Sequence, residues 1–388
     1  MLDLGSQPLA NSFLAPADLA APEPRYPLEL CRCTSCGHMQ LSLTVPPEIM
    51  FRNYLYVSGT SETIPAHFAA YAREIAERFV PAGGLVVEIG SNDGTLLRAF
   101  DRSKLRVLGV EPARNIAKVA NAAGIPTVDE FFDEATAKRL ATEHGRAAAM
   151  IGNNVVAHID DLHGLLRGAQ ALLAPSGVFV VEFPYLVDLL ERRAYDTIYH
   201  EHLSYFSVAS VVRLTADYGM RVVDVRRVSV HGGSIRLFIS GSGTPSISVG
   251  ELLTLEASMR LADGEPLTAF VADVRRQRVD LRALLTETRK RGRIAGYGAP
   301  AKGNTLLNYC GIDTSLVDFV VDRSPLKHGL LTPGTHIPVE PPDRLLASGV
   351  KETLLLAWNF AEEILRQQED YRSSGGRFII PIPTPLVV

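Results

Sequence analysis

The sequence predicts an α/β protein of more than one unit. A parallel sheet covered by helices on both faces lies in the middle, with a small β-rich module ahead of it and a second α/β unit behind. Three observations predict this. Strand and helix patterns alternate from Pro65 to Pro184, and the strands LVVEIG, LRVLGVEP, AAAMIGNN and VFVVEFP are almost continuously apolar, as strands buried on both faces must be. The strand–glycine–helix theme restarts at GRIAGYGAPAKGNTLLNY, beyond a charged helical stretch over about 250–292. At 388 residues the chain is also too long for one average domain.

In chain order, the short alternations YPLELCRC and HMQLSL predict strands around Cys31, Cys33 and Cys36. So small a module suits a metal staple better than a hydrophobic core alone. FAAYAREIAERF recurs at helical spacing, and Pro81, Gly83 and Gly84 then open the first long strand. TLLRAFDR, NIAKVANAAG and DLHGLLRGAQALLAPSG read as helices between strands. YLVDLLERRAYDTIYHEHLSYFS is irregular, and residues 209–240 read as helix, strand, turn at His231–Gly233, and strand. VDFVVDRSP and KETLLLAW continue the second α/β unit, placed at 245–388.

Composition excludes several classes. With 46% apolar and 21% charged residues the chain can build substantial cores, which rules out wholesale disorder. A formal charge of -4 gives no support to nucleic-acid binding. No stretch approaches the roughly 20 apolar residues needed to span a bilayer. The start, with Asp3 and no basic segment, makes a poor secretory signal, and four cysteines make a disulfide framework improbable. The expectation is a cytoplasmic protein acting on a small molecule, with no membrane partner, as a monomer or a homo-oligomer.

The turn VVEIGSNDG carries Glu88, Gly90, Asn92, Asp93 and Gly94 at the end of an apolar strand, and Glu111 follows about twenty residues on. A glycine there lets a ligand approach the backbone, and a downstream acid can accept hydrogen bonds from a ribose diol. Three readings are open: S-adenosylmethionine, a nicotinamide or flavin dinucleotide, and an ordinary strand–helix turn. The GxGxxG fingerprint is not met, and Asp93 disfavours a pyrophosphate while suiting the amino group of a methionine moiety, so S-adenosylmethionine fits better. Asp129 and Phe131 are candidates for an adenine amino group and ring face, and Asn153, closing AAAMIGNN, is counted with them. A solvated helix start and core aromatics explain Asp129 and Phe131 equally well.

Between Tyr195 and Phe206 lie Tyr199, His200, Glu201, His202 and Tyr205. Extended or helical, the segment offers a base together with a hydroxyl donor, and a neutral histidine suits proton abstraction near pH 7. A polar surface segment is the plainer alternative; the HExxH zinc spacing is absent. Tyr54 and Tyr56, in FRNYLYVSGTSE, are polar aromatics that could line a cleft or serve structure alone. Cys33 and Cys36 form a CxxC pair, half of a four-ligand zinc site. Gly296, Gly298 and Gly303 could be read as a second dinucleotide turn, with Asp322 as its ribose acid.

Taken together, LGSQPLANSF, YPLELCRCTSCGHMQL, FRNYLYVSGTSE, VVEIGSNDG, YHEHLSYFS and GYGAPAKGNTLLNY resemble, in order and over nearly the full chain, the S-adenosylmethionine-dependent sugar C-methyltransferases. These act on thymidine-diphosphate(TDP)-linked ketohexoses in antibiotic deoxysugar biosynthesis. The resemblance implies a small N-terminal zinc-type module (1–60), a central Rossmann-like class I methyltransferase domain (61–244) and a C-terminal Rossmann-like α/β domain (245–388) contributing to nucleotide-sugar binding. It implies that Tyr199, Glu201 and His202 lie in the active site, with His202 the favoured base and Tyr54 or Tyr56 beside the substrate. His200 and Tyr205 are placed against the substrate too, and Lys302 and Asn304 meet its phosphate or sugar oxygens. The family's module carries one CxxC before the LGSQPLANSF-like segment and one after it. Cys33 and Cys36 match the second pair and no first pair precedes the segment here, so structural zinc is carried on half a ligand set. Three rival readings stand beside this one: the same chemistry on a non-sugar acceptor, a nicotinamide-dependent oxidoreductase, and a binding or scaffold protein with a decayed catalytic centre.

Overall fold

In the computed structural model, which describes residues 1–52, 64–228 and 233–388, the apolar runs form three sheets. The first is small and antiparallel. It comprises β1 (Leu2–Gln7), β2 (Tyr26–Arg32) and β3 (Met39–Leu41), and a short strand from far downstream completes its edge. Leu2, Leu4, Leu28, Leu30, Met39 and Leu41 point inward from it, at the two-residue period a half-buried sheet demands.

The second sheet contains β4 (Leu85–Ile89), β5 (Arg106–Val110), β6 (Thr127–Val128), β7 (Ala147–Asn153) and β8 (Leu173–Pro184), all parallel. After the edge strand β9 (Ser204–Tyr205), which belongs to the first sheet, β10 (Arg221–Val228) and β11 (Ser234–Ser240) extend the second sheet antiparallel. Its order is β10-β11-β8-β7-β4-β5-β6, so the direction of winding reverses between β4 and β7. Ligands of doubly wound sheets bind at such a switch point, beyond the carboxyl ends of the strands. The loops leaving β4 and β7 carry Gly90 and Asn153–Asn154. β8 begins earlier than its apolar run suggests. Its ladder with β7 jumps from Ala147↔Leu173 to Ala149↔Val178, and the extra residues, Pro175 among them, bulge out of the pairing.

The third sheet, β12 (Ile294–Tyr297), β13 (Phe319–Val321), β14 (Val339–Glu340), β15 (Glu352–Leu355), β16 (Arg377–Ile380) and β17 (Leu386–Val387), runs in the order β14-β13-β12-β15-β16-β17. Only the last pair is antiparallel, and its switch point lies between β12 and β15. The charged stretch ahead of it forms two helices, Ile247–Ser258 and Glu265–Arg291, broken by a left-handed residue at Arg260.

A buried ionic cluster fastens the helix Ile64–Phe79 to the second sheet. Arg236 lies opposite Glu182 in the β11–β8 ladder and donates to it at 2.7–2.8 Å and to Glu74 at 3.0 Å. Its guanidinium lies over the Tyr71 ring at 3.4 Å, and His67 donates to the other Glu182 oxygen at 2.9 Å. Burial works to raise the Glu182 carboxyl, but His67 and Arg236 outweigh it and hold the group below the ordinary carboxylate range. Removing one partner of such a pair strands a buried charge. Arg236→Met should therefore destabilise the fold by about 3–5 kcal/mol, read as a lower denaturant midpoint.

Candidate active site

The cofactor turn is built by backbone conformation. Gly90 has φ +62°, and a Cβ there would come within 2.7 Å of a Val155 methyl, so the position needs glycine. The turn aims several polar groups into one cleft at the second sheet's switch point. Glu88 Oε2, Ser91 Oγ and Asn153 Oδ1 are buried and have no hydrogen-bond partner among the described residues. Burial, then the nearby Glu111 and Asp93, push the Glu88 carboxyl well above its ordinary range. Glu111 accepts from the backbone N–H of Asn92 at 2.9 Å and of Ala113 at 2.8 Å. Orphaned acceptors around a crowded set of carboxylates call for a ligand bringing positive charge and hydroxyl donors, and S-adenosylmethionine carries both. The residues present fit it.

Two residues expected at the cofactor have other partners here. Asp93 accepts from the Thr95 hydroxyl at 2.6 Å and backbone N–H at 3.2 Å and pairs with Arg98 at 3.4 Å, so its carboxylate braces the helix Thr95–Arg98. The Phe131 ring is covered by the Arg52 guanidinium, 4.6 Å from its centroid, and packs with Leu9, Val45, Met50 and Phe51 rather than lying open to a base. Asp129 is exposed beside that arginine.

The segment after the short 3-10 turn Tyr195–Thr197 carries Tyr199, Glu201 and His202. His202 Nδ1 lies 2.8 Å from the carbonyl oxygen of Thr197. A carbonyl only accepts, so Nδ1 carries the hydrogen and Nε2 keeps its lone pair. The Tyr199 hydroxyl donates to that lone pair at 2.7 Å, with ring centroids 4.0 Å apart. Beyond His202 the rings continue through His158 (5.0 Å) to Phe51 (5.5 Å, 8° between planes). Burial brings the His158 pKa down to about 4, so a neutral ring backs the base at neutral pH. Glu201 is 3% exposed and accepts from the Asn11 side chain at 2.7 Å. A tyrosine hydroxyl, an imidazole whose Nδ1 sits on a carbonyl, and a buried carboxylate therefore lie within four residues of chain. The helix-free loop that carries them is held by Leu203 N–H to the carbonyl of Ala157, 2.7 Å.

Sequence reasoning passed over His158, Asn11 and Asp196. A lone histidine in NNVVAH has no local pattern; the usable signal was its place just past the end of a switch-point strand.

Other expectations need correction. His200 faces away from His202. It is 1% exposed, and its Nε2 lies 3.3 Å from the carbonyl oxygens of Tyr26 and Pro27, so it docks the loop on β2 instead of meeting substrate. Tyr205 is buried in β9 opposite Met39. The Lys302 ammonium is sealed from solvent, 4.7 Å from the Trp358 ring centroid and within the field of Asp196, not presented to phosphate. Asn304 is 1% exposed and donates to the carbonyl of Ala10 at 2.7 Å, joining the third sheet's first helix to the N-terminal segment. Asp322 accepts from the backbone N–H of Ala299 and Ser324. Tyr54 and Tyr56 lie outside the described residues.

Cys33 and Cys36 form a tight turn, with the Gly37 N–H on the carbonyl of Cys33 at 2.9 Å and Gly37 at φ +76°. His38 turns instead to the Ser204 hydroxyl at 3.1 Å and the Phe206 ring. Among the described residues no group of three or more His, Cys, Asp or Glu could hold a metal, so Cys33 and Cys36 stand there as half of a four-ligand set.

Residues 66–225 match a family described as a methyltransferase domain, and residues 229–383 one described as a C-methyltransferase C-terminal domain. Residues 1–51 match a family described as a "putative zinc binding domain". The C-methyltransferase NovU of Streptomyces niveus is 40% identical over 393 residues, covering 100% of this chain and 94% of that protein. A ubiquinone biosynthesis O-methyltransferase of Methylobacterium sp. (strain 4-46) is 32% identical over 102 residues, 25% of this chain and 40% of its own.

Gly90→Ala tests the cofactor turn. It forces a left-handed conformation on a residue with a Cβ and pushes that carbon against Val155. The expected cost is about 1–3 kcal/mol in stability. Calorimetry should show S-adenosylmethionine binding weakened by about tenfold or more.

Proposed function

The chain belongs to the family of S-adenosylmethionine-dependent C-methyltransferases, and from that premise we propose that it methylates the carbon alpha to the ketone of a TDP-linked keto-deoxyhexose by way of an enolate. The observation that carries this reading is the Tyr199–His202 pair with its fixed nitrogen lone pair. The same proposal divides the work among units at 1–60, 61–244 and 245–388.

An unactivated sugar carbon is no nucleophile, but a neighbouring ketone acidifies its C–H bond. His202 Nε2 is the one histidine nitrogen of the segment with an orienting hydrogen bond on the opposite side of its ring and a hydroxyl at its lone pair. On substrate binding Tyr199 turns its hydroxyl from Nε2 to the ketone oxygen, which frees Nε2 to take the proton. The hydroxyl then stabilises the charge that develops on that oxygen, and the Thr197 carbonyl stabilises the imidazolium. Glu201, held by Asn11, stands by as acceptor for a sugar hydroxyl. S-adenosylmethionine bound at the Gly90 turn supplies the electrophilic methyl group that the enolate carbon takes. The residues provide acid–base work throughout, and the full-length likeness to a protein named a C-methyltransferase supports the reading.

His202→Asn should keep S-adenosylmethionine binding but abolish both methylation and solvent deuterium exchange at the carbon alpha to the ketone. Tyr199→Phe should lower both rates, by roughly 3 kcal/mol of transition-state stabilisation if the hydroxyl acts alone as oxyanion donor. NMR of a TDP-linked keto-deoxyhexose incubated in deuterium oxide reads the exchange directly. Exchange retained by His202→Asn would exclude it as the base.

A further inference from the structure

The turn that supplies the Thr197 carbonyl is gripped from outside its own sheet. Tyr195, at its start, is fully buried and donates to Gln277 Oε1 at 2.8 Å, and Gln277 in turn donates to the carbonyl of Pro381. Asp196 is also fully buried. Its Oδ2 accepts from the Trp358 indole N–H at 2.6 Å, and its Oδ1 has no hydrogen-bond partner among the described residues. Trp358 follows β15 and Lys302 follows β12, the two strands that flank the switch point of the third sheet. The crevice where a doubly wound sheet ordinarily receives a ligand thus receives a carboxylate of the same chain.

The backbone there is shaped for it. Gly298 has φ +84°, and a Cβ would come within 2.8 Å of Ala357, so the two loops close tightly around the incoming side chain. The Lys302 ammonium has no hydrogen-bond partner among the described residues and Asp196 opposes its burial, while Lys302 does the same for Asp196. A lysine and a carboxylate each costly to bury alone are tolerable together.

We propose that Asp196, hydrogen-bonded to Trp358 beneath the third sheet's switch point, is a positioning residue for the base. It fixes the 3-10 turn so that the Thr197 carbonyl meets His202 Nδ1 and keeps the lone pair on Nε2. The C-terminal unit thereby sets the protonation geometry of a base that it does not itself carry. This inference rests on the reading of His202 as the base, and its test separates the two.

The full-length protein labelled with ring-15N histidine reports the tautomer of His202 without substrate, with His202→Asn assigning the signal. Wild type should show the neutral Nδ1–H form. In Asp196→Asn the charge opposite Lys302 is lost, and the His202 signal should shift toward a mixture of tautomers. With a TDP-linked keto-deoxyhexose, kcat should fall about 10- to 100-fold while the KM for S-adenosylmethionine holds. Removing the stranded charge as well, in Asp196→Asn/Lys302→Met, should recover part of the loss. Trp358→Phe deletes the 2.6 Å hydrogen bond while keeping an aromatic ring beside Lys302, and should move the tautomer the same way; it decides the matter if Asp196→Asn does not fold. An unchanged tautomer and unchanged kcat in a folded variant would overturn the inference. Deuterium exchange retained by His202→Asn would instead remove the base reading and leave the hold of Asp196 on the imidazole standing.

Discussion

A carbonyl oxygen accepts hydrogen bonds and cannot give one, and at Thr197 that asymmetry decides which nitrogen of His202 is free to act. The rest of the molecule can be understood as the means of keeping one carbonyl in place. The second sheet brings the loop to its switch point. The first sheet takes up His200 on the loop's opposite side, and the third clasps the turn from below through Tyr195 and Asp196. Asn11 and Asn304 close the circuit, one reaching Glu201 and the other the carbonyl of the residue before it, Ala10. Contacts from all three sheets thus converge on one short stretch of loop.

The fold was largely legible in the sequence because burial leaves a period. The strands at Leu85–Ile89 and Arg106–Val110 are apolar but for Glu88 and Arg106, and Gly90 marks where the chain must turn after the first. What escaped was set by partners distant in sequence. Nothing in Ser204–Tyr205 announces a strand, since a two-residue element has no period, and it exists because Met39 and Gln40 offer an edge. The early start of β8 was hidden for a related reason: a bulge breaks the ladder, and Pro175 reads locally as an end.

The site was legible in its residue types and less so in their directions. Tyr199 and His202 were selected as a donor and a base three residues apart, and the structure joins them at 2.7 Å. His200, next in line and of the same type, points the other way, because the loop is neither strand nor helix and no periodicity governs it. Lys302 shows the other limit of local reading. Beside glycines at a helix start it looks like a phosphate ligand, yet its counter-charge is Asp196, more than a hundred positions upstream. Only the packing of one unit on another reveals that the crevice is filled from within.

The strand β9 has a consequence for how the chain comes to exist. The first three strands of the first sheet end by Leu41, but its last ladder waits for Ser204–Tyr205. During synthesis, the backbone amides and carbonyls of Met39 and Gln40 remain an open, adhesive margin until the chain has grown past that point. A nascent N-terminus of this kind can stick to its neighbours on a polysome, and the same margin would be laid bare by any fragment cut short of residue 204.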